Sequence, residues 1–400
     1  MSDLERLLTK FETGALLRPA ASVPNVVDLA RALAWLAGAG NIELTAGASR
    51  LAAIIGPADH LVFVLADGLG MTLIEELPDS AFLAAHLATE LRTVFPSSSA
   101  TVLTALATGE WPGSHGVTGQ WTHLPEIRAT ADLLRFAARN GGRSLAKLGV
   151  SVEQVFPLPS LVRRMRRDTL ALYPEGVVNS ASAAYFSGHR ARLGYRTLAE
   201  AVDLLVARVG AADAPTYSYL YTPWIDHEAH RHGVGHPGVR AAVIGLDRAL
   251  DRLATRLGGR ARIVLTADHG LLDTPVVARH WIRPGGALAR ALAFPPSGDS
   301  RVMYLHVRDG AQDGIRQHFR DHYGERFFLI SIEEAERLAL FGPGPLAPWV
   351  RRRLGDLIVI SGGTDVLEYL PAGSIDRLMA VASHHSGLTP AEMRVPLVVA

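Results

Sequence analysis

The chain has 400 residues, with 40 Lys and Arg against 39 Asp and Glu, for a formal net charge of +1. So balanced a charge excludes a dedicated nucleic-acid binder, and 48% hydrophobic with 20% charged residues excludes a disordered chain. Cysteine is absent, which excludes a disulfide scaffold, a thiolate nucleophile, an iron–sulfur cluster and Cys-ligated zinc, so any metal must be held by carboxylates and by some of the 16 His.

The first residues, MSDLERLLTKFETG, carry early acidic groups and no apolar run before a small-residue cleavage site, so a cytoplasmic protein is expected. Helix-spaced apolar residues predict a helix over Val26–Leu36. The most apolar stretch, Leu51 to Met71, is broken by Gly56-Pro57, Asp59, His60 and Asp67, which argues against a membrane span. Within it Leu61–Ala66 reads as a buried strand. Further on, Thr101–Ala107, Leu198–Val209 and Val239–Leu257 read as helices, and Thr216–Tyr221, Arg262–Thr266 and Leu357–Ile360 as strands. Near-continuous apolar strands alternating with helices predict an α/β fold with a mainly parallel sheet covered on both faces. Residues 111–190, rich in Pro, Gly, Trp and Arg, and residues 276–350, with RPGG, FPPSGDS and FGPGPLAP, read as two insertions forming a partial cap on a single domain spanning 1–400. No internal repeat or low-complexity tract is visible.

Five segments concentrate carboxylates, His and hydroxyls, mostly just after a predicted strand, where open α/β sheets bind ligands. Asp67 ends a strand and precedes Gly68 and Gly70, which suits a hard-cation ligand or a helix cap. Ser97, Ser98 and Ser99 follow Pro96 and precede a small-residue helix, and a hydroxyl at a helix start favours an incoming phosphate. The residue types alone do not choose among the three. Asp226 and His230 lie four apart on a predicted helix, so they share a face and suit one metal; His232 and His236 read as loop or supporting residues. Asp268-His269-Gly270 follows another strand, and His384-His385 precedes a glycine turn. Alone, each also reads as a cap, turn or surface pair. The Arg163–Arg167 and Arg351–Arg353 runs read first as solvated helix faces. Trp111, Trp121 and Trp224 lie in or beside the motif segments, where stacking on a nucleobase is the minority alternative to packing.

In order, these segments resemble the alkaline phosphatase superfamily, in its type I phosphodiesterase/nucleotide pyrophosphatase branch. The matches are Asp67-Gly68, Pro96-Ser97 with Thr108-Gly109 to His115-Gly116, Asp226 to His230, Asp268-His269-Gly270 and His385-Ser386-Gly387. The resemblance implies a three-layer fold and two divalent metal ions, zinc first, with manganese and iron suiting the same donors. One would be held by Asp67, Asp268, His269 and the Ser97 oxygen, the other by Asp226, His230 and His385. It makes Ser97 the nucleophile, because Ser97 directly follows Pro96 and stands eleven positions before Thr108.

The implied reaction is hydrolysis of a small phosphate ester, a phosphodiester or pyrophosphate, through a phosphoseryl intermediate. The family Asn after the His-Gly pair is absent, leaving Thr118 or Gln120 to contact a phosphoryl oxygen. None of the serines is followed by the Pro and Arg of a sulfatase. A phosphomonoesterase or phosphonate hydrolase on the same scaffold is the alternative, and a metal-dependent binding protein without turnover is the non-enzyme one. Neither a nucleic-acid-binding domain nor a membrane partner is implied, and the sequence leaves the oligomeric state open.

Overall fold

The computed structural model describes residues 1–139, 142–371 and 373–400, so the first expected insertion is described apart from 140 and 141. Seven strands form the main sheet, in the order Leu87–Arg92, Arg394–Val399, Ala261–Thr266, His60–Ala66, Thr216–Thr222, Asp168–Pro174, Ala191–Tyr195. The five from Ala261–Thr266 to Ala191–Tyr195 run parallel, and Arg394–Val399 runs antiparallel to both its neighbours. At the centre, HLVFVLA of His60–Ala66 is buried after its first residue, because helices cover both faces.

The predicted helices form, with starts fixed by side-chain caps. Asn25 accepts from Asp28 N–H to begin Val26–Leu36, and Thr197 accepts from Glu200 N–H to begin Leu198–Gly210. Helix Pro237–Leu257 opens with Pro at its first turn, is capped by His236, and stops at Gly258 with φ +55°. Among the described residues no helix is long and apolar enough to cross a membrane.

A second, wholly antiparallel sheet runs in the order Phe327–Ser331, Leu357–Ser361, Val302–Leu305, Ser297–Gly298, Trp121–Leu124, Ala129–Asp132, Ala137–Ala138. Leu357–Ile360 therefore lies here and not in the parallel sheet. Its side chains alternate between two cores. Ile358 and Ile360 join Tyr304, Phe328 and Leu7 on one face, while Leu357 and Val359 join Leu305, Ile315 and Phe319 on the other. Burial on both faces makes an antiparallel strand read as a continuous apolar run. Residues 111–190 are likewise divided: 121–138 enter the second sheet, but Asp168–Pro174 is a main-sheet strand.

Candidate active site

The main sheet's strand ends bring the acidic and His segments together. Asp67 follows the central strand and Asp268 follows its neighbour, while Asp226 lies in the first turn of helix Trp224–His232. The turn after Asp67 requires glycine: Gly68 has φ +76°, and a Cβ there would meet Leu271 Cδ1 at 2.7 Å and Asp226 Cα at 2.9 Å. Two main-chain N–H groups lock the ends, Asp226 N–H donating to Asp67 O at 3.1 Å and Gly68 N–H to the Asp268 side-chain Oδ1 at 3.1 Å.

Three imidazoles face this cluster, each oriented through Nδ1 by a main-chain carbonyl. His269 donates to Gly270 O at 3.1 Å, His230 to Ser383 O at 2.7 Å and His385 to Ser97 O at 2.9 Å. A carbonyl only accepts, so Nδ1 carries the proton and Nε2 is directed into the site. The Nε2 of His269 lies 3.5 Å from Asp67 Oδ1 and 3.4 Å from Asp268 Oδ2, both buried oxygens without a hydrogen-bond donor. His230 Nε2 lies 3.2 Å from Asp226 Oδ1. The rings of His269 and His385 stack with centroids 3.6 Å apart.

Electrostatics mark the same place. Burial first, then the nearby Asp268 and Asp226, pushes the Asp67 carboxyl well above the ordinary carboxylate range. Burial also works against charge on His230, but the Asp226 carboxylate outweighs it and lifts the imidazole to about 9. Crowded acceptors without donors, in a sulfur-free oxygen and nitrogen set, fit divalent cations. The donor atoms of Asp226, His230 and His385 lie within 4.8 Å of one another, as do those of Asp67, Asp226 and His269. Asp226 belongs to both groups, an overlap that its spacing to His230 did not reveal.

The serines divide differently from the expectation. Ser97 is fully buried in an extended segment bridged to Ser386, and its hydroxyl donates to Gly387 O at 2.8 Å, away from the carboxylates. Ser98 occupies the cap position, and Ser99 is the first residue of helix Ser99–Thr108. The Ser99 Oγ stands 3.0 Å from His269 Nε2. The hydroxyl that meets His269 therefore stands two residues after the one that directly follows Pro96. Gln120 is also committed elsewhere, its side-chain amide donating to Asp132 at 3.0 Å, while Thr118 is buried with its hydroxyl unpaired.

Tyr221 carried no signal beyond its place in a buried strand, yet its hydroxyl donates to Asp67 Oδ2 at 2.6 Å. It also lines a cavity of about 500 Å³ with Leu103, Tyr173, Val177, Phe186 and Tyr219. Leu103 lies four residues after Ser99 on the same helix, which sets this cavity beside the site. Arg353 is buried and donates to Gly116 O and Val155 O at 3.0 Å, so that run is not wholly a solvated face. Trp111 packs against Gly342 and Arg139 lies over Trp121, whereas Trp224 keeps 39% exposure.

A strand-end cluster of three Asp and three His, with a serine hydroxyl at a helix start, on a mainly parallel sheet between helices, defines a metal-dependent hydrolase of the alkaline phosphatase type. Residues 61–361 match the family described as type I phosphodiesterase / nucleotide pyrophosphatase, and the chain belongs to it. It is thus a hydrolase of phosphodiester or pyrophosphate bonds in a divalent-metal-dependent family. Its fold is similar to that of murine ectonucleotide pyrophosphatase/phosphodiesterase 5, an inactive variant in complex with AMP, with TM-score 0.62 and 16% identity over 84% of this chain and 87% of that one. The human protein of the same name matches with TM-score 0.62 and 14% identity over 85% of this chain and 87% of that one. No curated protein matches the chain.

Proposed function

We propose that the protein hydrolyses small phosphodiesters or nucleotide pyrophosphates with two divalent cations, zinc first among them, through a phosphoserine at Ser99. The observation that carries this reading is the 3.0 Å approach of the Ser99 hydroxyl to His269 Nε2 at a helix start. Asp67, Asp268 and His269 would hold one cation beside the Ser99 oxygen, and Asp226, His230 and His385 the other, with Asp226 near both. Bound cations supply Lewis acidity and positive charge at the phosphoryl group.

The chain's own part is positioning. The first N–H groups of helix Ser99–Thr108 lack intrahelical acceptors and offer donors to a phosphoryl anion. Ser99 Oγ attacks phosphorus; the ester P–O bond breaks, and the alcohol leaves with the proton lost from the hydroxyl. Water then cleaves the Oγ–P bond and regenerates the serine. The cavity lined by Tyr173, Tyr219 and Tyr221 gives the substituent an aromatic wall. A nucleotide is the first ligand to test, given the AMP complex of the murine relative.

The test is a panel on metal-reconstituted protein: bis-p-nitrophenyl phosphate, p-nitrophenyl phosphate, a nucleoside phosphate diester and a phosphonate. A diester should have the highest kcat/KM. A higher value for the monoester or phosphonate would move the activity to that substrate, and metal binding without any turnover would favour a binding protein.

A further inference from the structure

Tyr221 belongs to two places at once. Its ring is part of the aromatic wall of the cavity beside Ser99. Its hydroxyl donates to one oxygen of Asp67 at 2.6 Å, while the other oxygen, Oδ1, is buried without a donor and lies 3.5 Å from His269 Nε2. The tyrosine is itself anchored. Its carbonyl accepts from the Tyr195 hydroxyl at 2.7 Å, and its strand pairs in register with the central one, Tyr221 opposite Leu65.

This geometry has a consequence for Asp67. A lone carboxylate crowded by two others can rotate and present either oxygen. A fixed phenol donor on Oδ2 removes that freedom and leaves Oδ1 facing His269 Nε2 and Asp268. We propose that Tyr221 is a positioning residue: it holds Asp67 for a divalent cation and makes that hold sensitive to what fills the cavity. A substituent that packs on the ring without displacing it leaves Asp67 in place. One that pushes the ring aside breaks the bond to Asp67, so the cavity selects substrates through kcat as well as through binding. The proposal rests on the metal-dependent phosphodiesterase reading above.

The test uses the full chain with Tyr221→Phe, which keeps the ring and removes the donor. Zinc affinity is measured by competition with a chromophoric chelator, starting from metal-free protein. One site should weaken by about 10- to 100-fold, the usual effect of losing a partner that orients a ligand, and the other should be unchanged. At saturating zinc, kcat for bis-p-nitrophenyl phosphate should fall while KM stays near wild type. Tyr173→Phe, which shares the cavity wall but does not bond Asp67, should leave zinc affinity unaltered. Wild-type zinc affinity at both sites in Tyr221→Phe, or a raised KM with unchanged kcat, overturns the proposal. Melts of metal-free protein check folding. Should the Phe variant fail to fold, 3-fluorotyrosine at position 221, a stronger phenol donor of nearly the same shape, should tighten that site; no change there also overturns the proposal. Zinc affinity is read without turnover, so an inactive wild type would overturn the phosphodiesterase reading while leaving this measurement valid.

Discussion

The Ser99 hydroxyl and the Nε2 of His269 stand 3.0 Å apart, whereas the Ser97 hydroxyl, two residues earlier, is occupied by the carbonyl of Gly387 at 2.8 Å. Ser99→Ala should therefore lower kcat by at least about 10³-fold, as loss of a nucleophile that works as a unit with its activators does. Ser97→Ala should keep turnover within an order of magnitude and cost about 1–3 kcal/mol of stability, because a buried carbonyl loses its donor. Mass spectrometry of protein quenched during turnover should find the phosphoryl group on Ser99. Phosphate on Ser97, or an inactive Ser97→Ala that melts normally, would reverse the assignment.

Why the serine was ambiguous in the sequence, while the acidic and His cluster was not, is a matter of local versus tertiary determination. Asp67 and Asp268 are announced by the buried apolar strands that precede them, and Asp226 and His230 by helical spacing. A Pro-Ser-Ser-Ser run has no periodicity, and its helix start depends on the bridge between Ser97 and Ser386, nearly three hundred residues apart. Strand Leu87–Arg92 escaped because it is an edge strand whose LATELR pattern is half-exposed and charged. The second sheet was hidden for the opposite reason, its strands being buried on both faces like parallel ones. Tyr221 reads as one more aromatic in TYSYLYT until the fold sets its hydroxyl against Asp67.

Asp226 lies in both donor groups, which separates its loss from that of His385. Elemental analysis of dialysed wild-type protein should give close to two equivalents of metal, mostly zinc. His385→Ala should retain about one equivalent, from the Asp67, Asp268 and His269 group. Asp226→Asn should fall below that, because it removes a charge from both sites. Chelation should abolish activity and zinc should restore it. Two equivalents retained in Asp226→Asn would show that the groups do not share this residue.

The turn that follows His385 is held from the second sheet. Arg301 and Glu392 form a fully buried pair, Nε to Oε1 at 2.6 Å, and Glu392 also accepts from Gly387 N–H at 2.7 Å and Thr389 N–H at 3.1 Å. Glu392→Ala should destabilise by about 3–5 kcal/mol, since it leaves the guanidinium buried and unpaired. Pairing Arg301→Met with Glu392→Leu should recover much of that loss in chemical denaturation. Zinc affinity at the His385 site should stay low in the double variant, because the Gly387 and Thr389 N–H groups still lack their acceptor. Full recovery of both quantities would mean the turn is held by other contacts.

Asp299, just after strand Ser297–Gly298, gives stability a defined pH dependence. Its carboxylate accepts from Gln120 N–H at 3.2 Å and faces the Ser98 hydroxyl that opens the Ser99 helix. Burial outweighs these contacts and raises its pKa from 3.8 to about 7. Between about pH 4 and pH 7 the folded chain keeps a proton that the unfolded chain has released, so rising pH destabilises the fold through that window. Below it both states are protonated, and above it both are ionised with the penalty at its full value. Asp299→Asn cannot ionise but retains an acceptor for Gln120. Its melting temperature relative to wild type should rise from about pH 4 to about pH 7 and stay level above. The gain at pH 8 should be about 1–2 kcal/mol, well under the roughly 1.4 kcal/mol per pKa unit of a fully dry site, because water still reaches this partly buried group. Taking the difference between the two proteins cancels the other titrating groups, including Glu368, which burial also raises to about 7. A difference that is constant with pH, or a wild type more stable than Asp299→Asn at pH 8, would mean that Asp299 is ionised in the folded protein across the whole range.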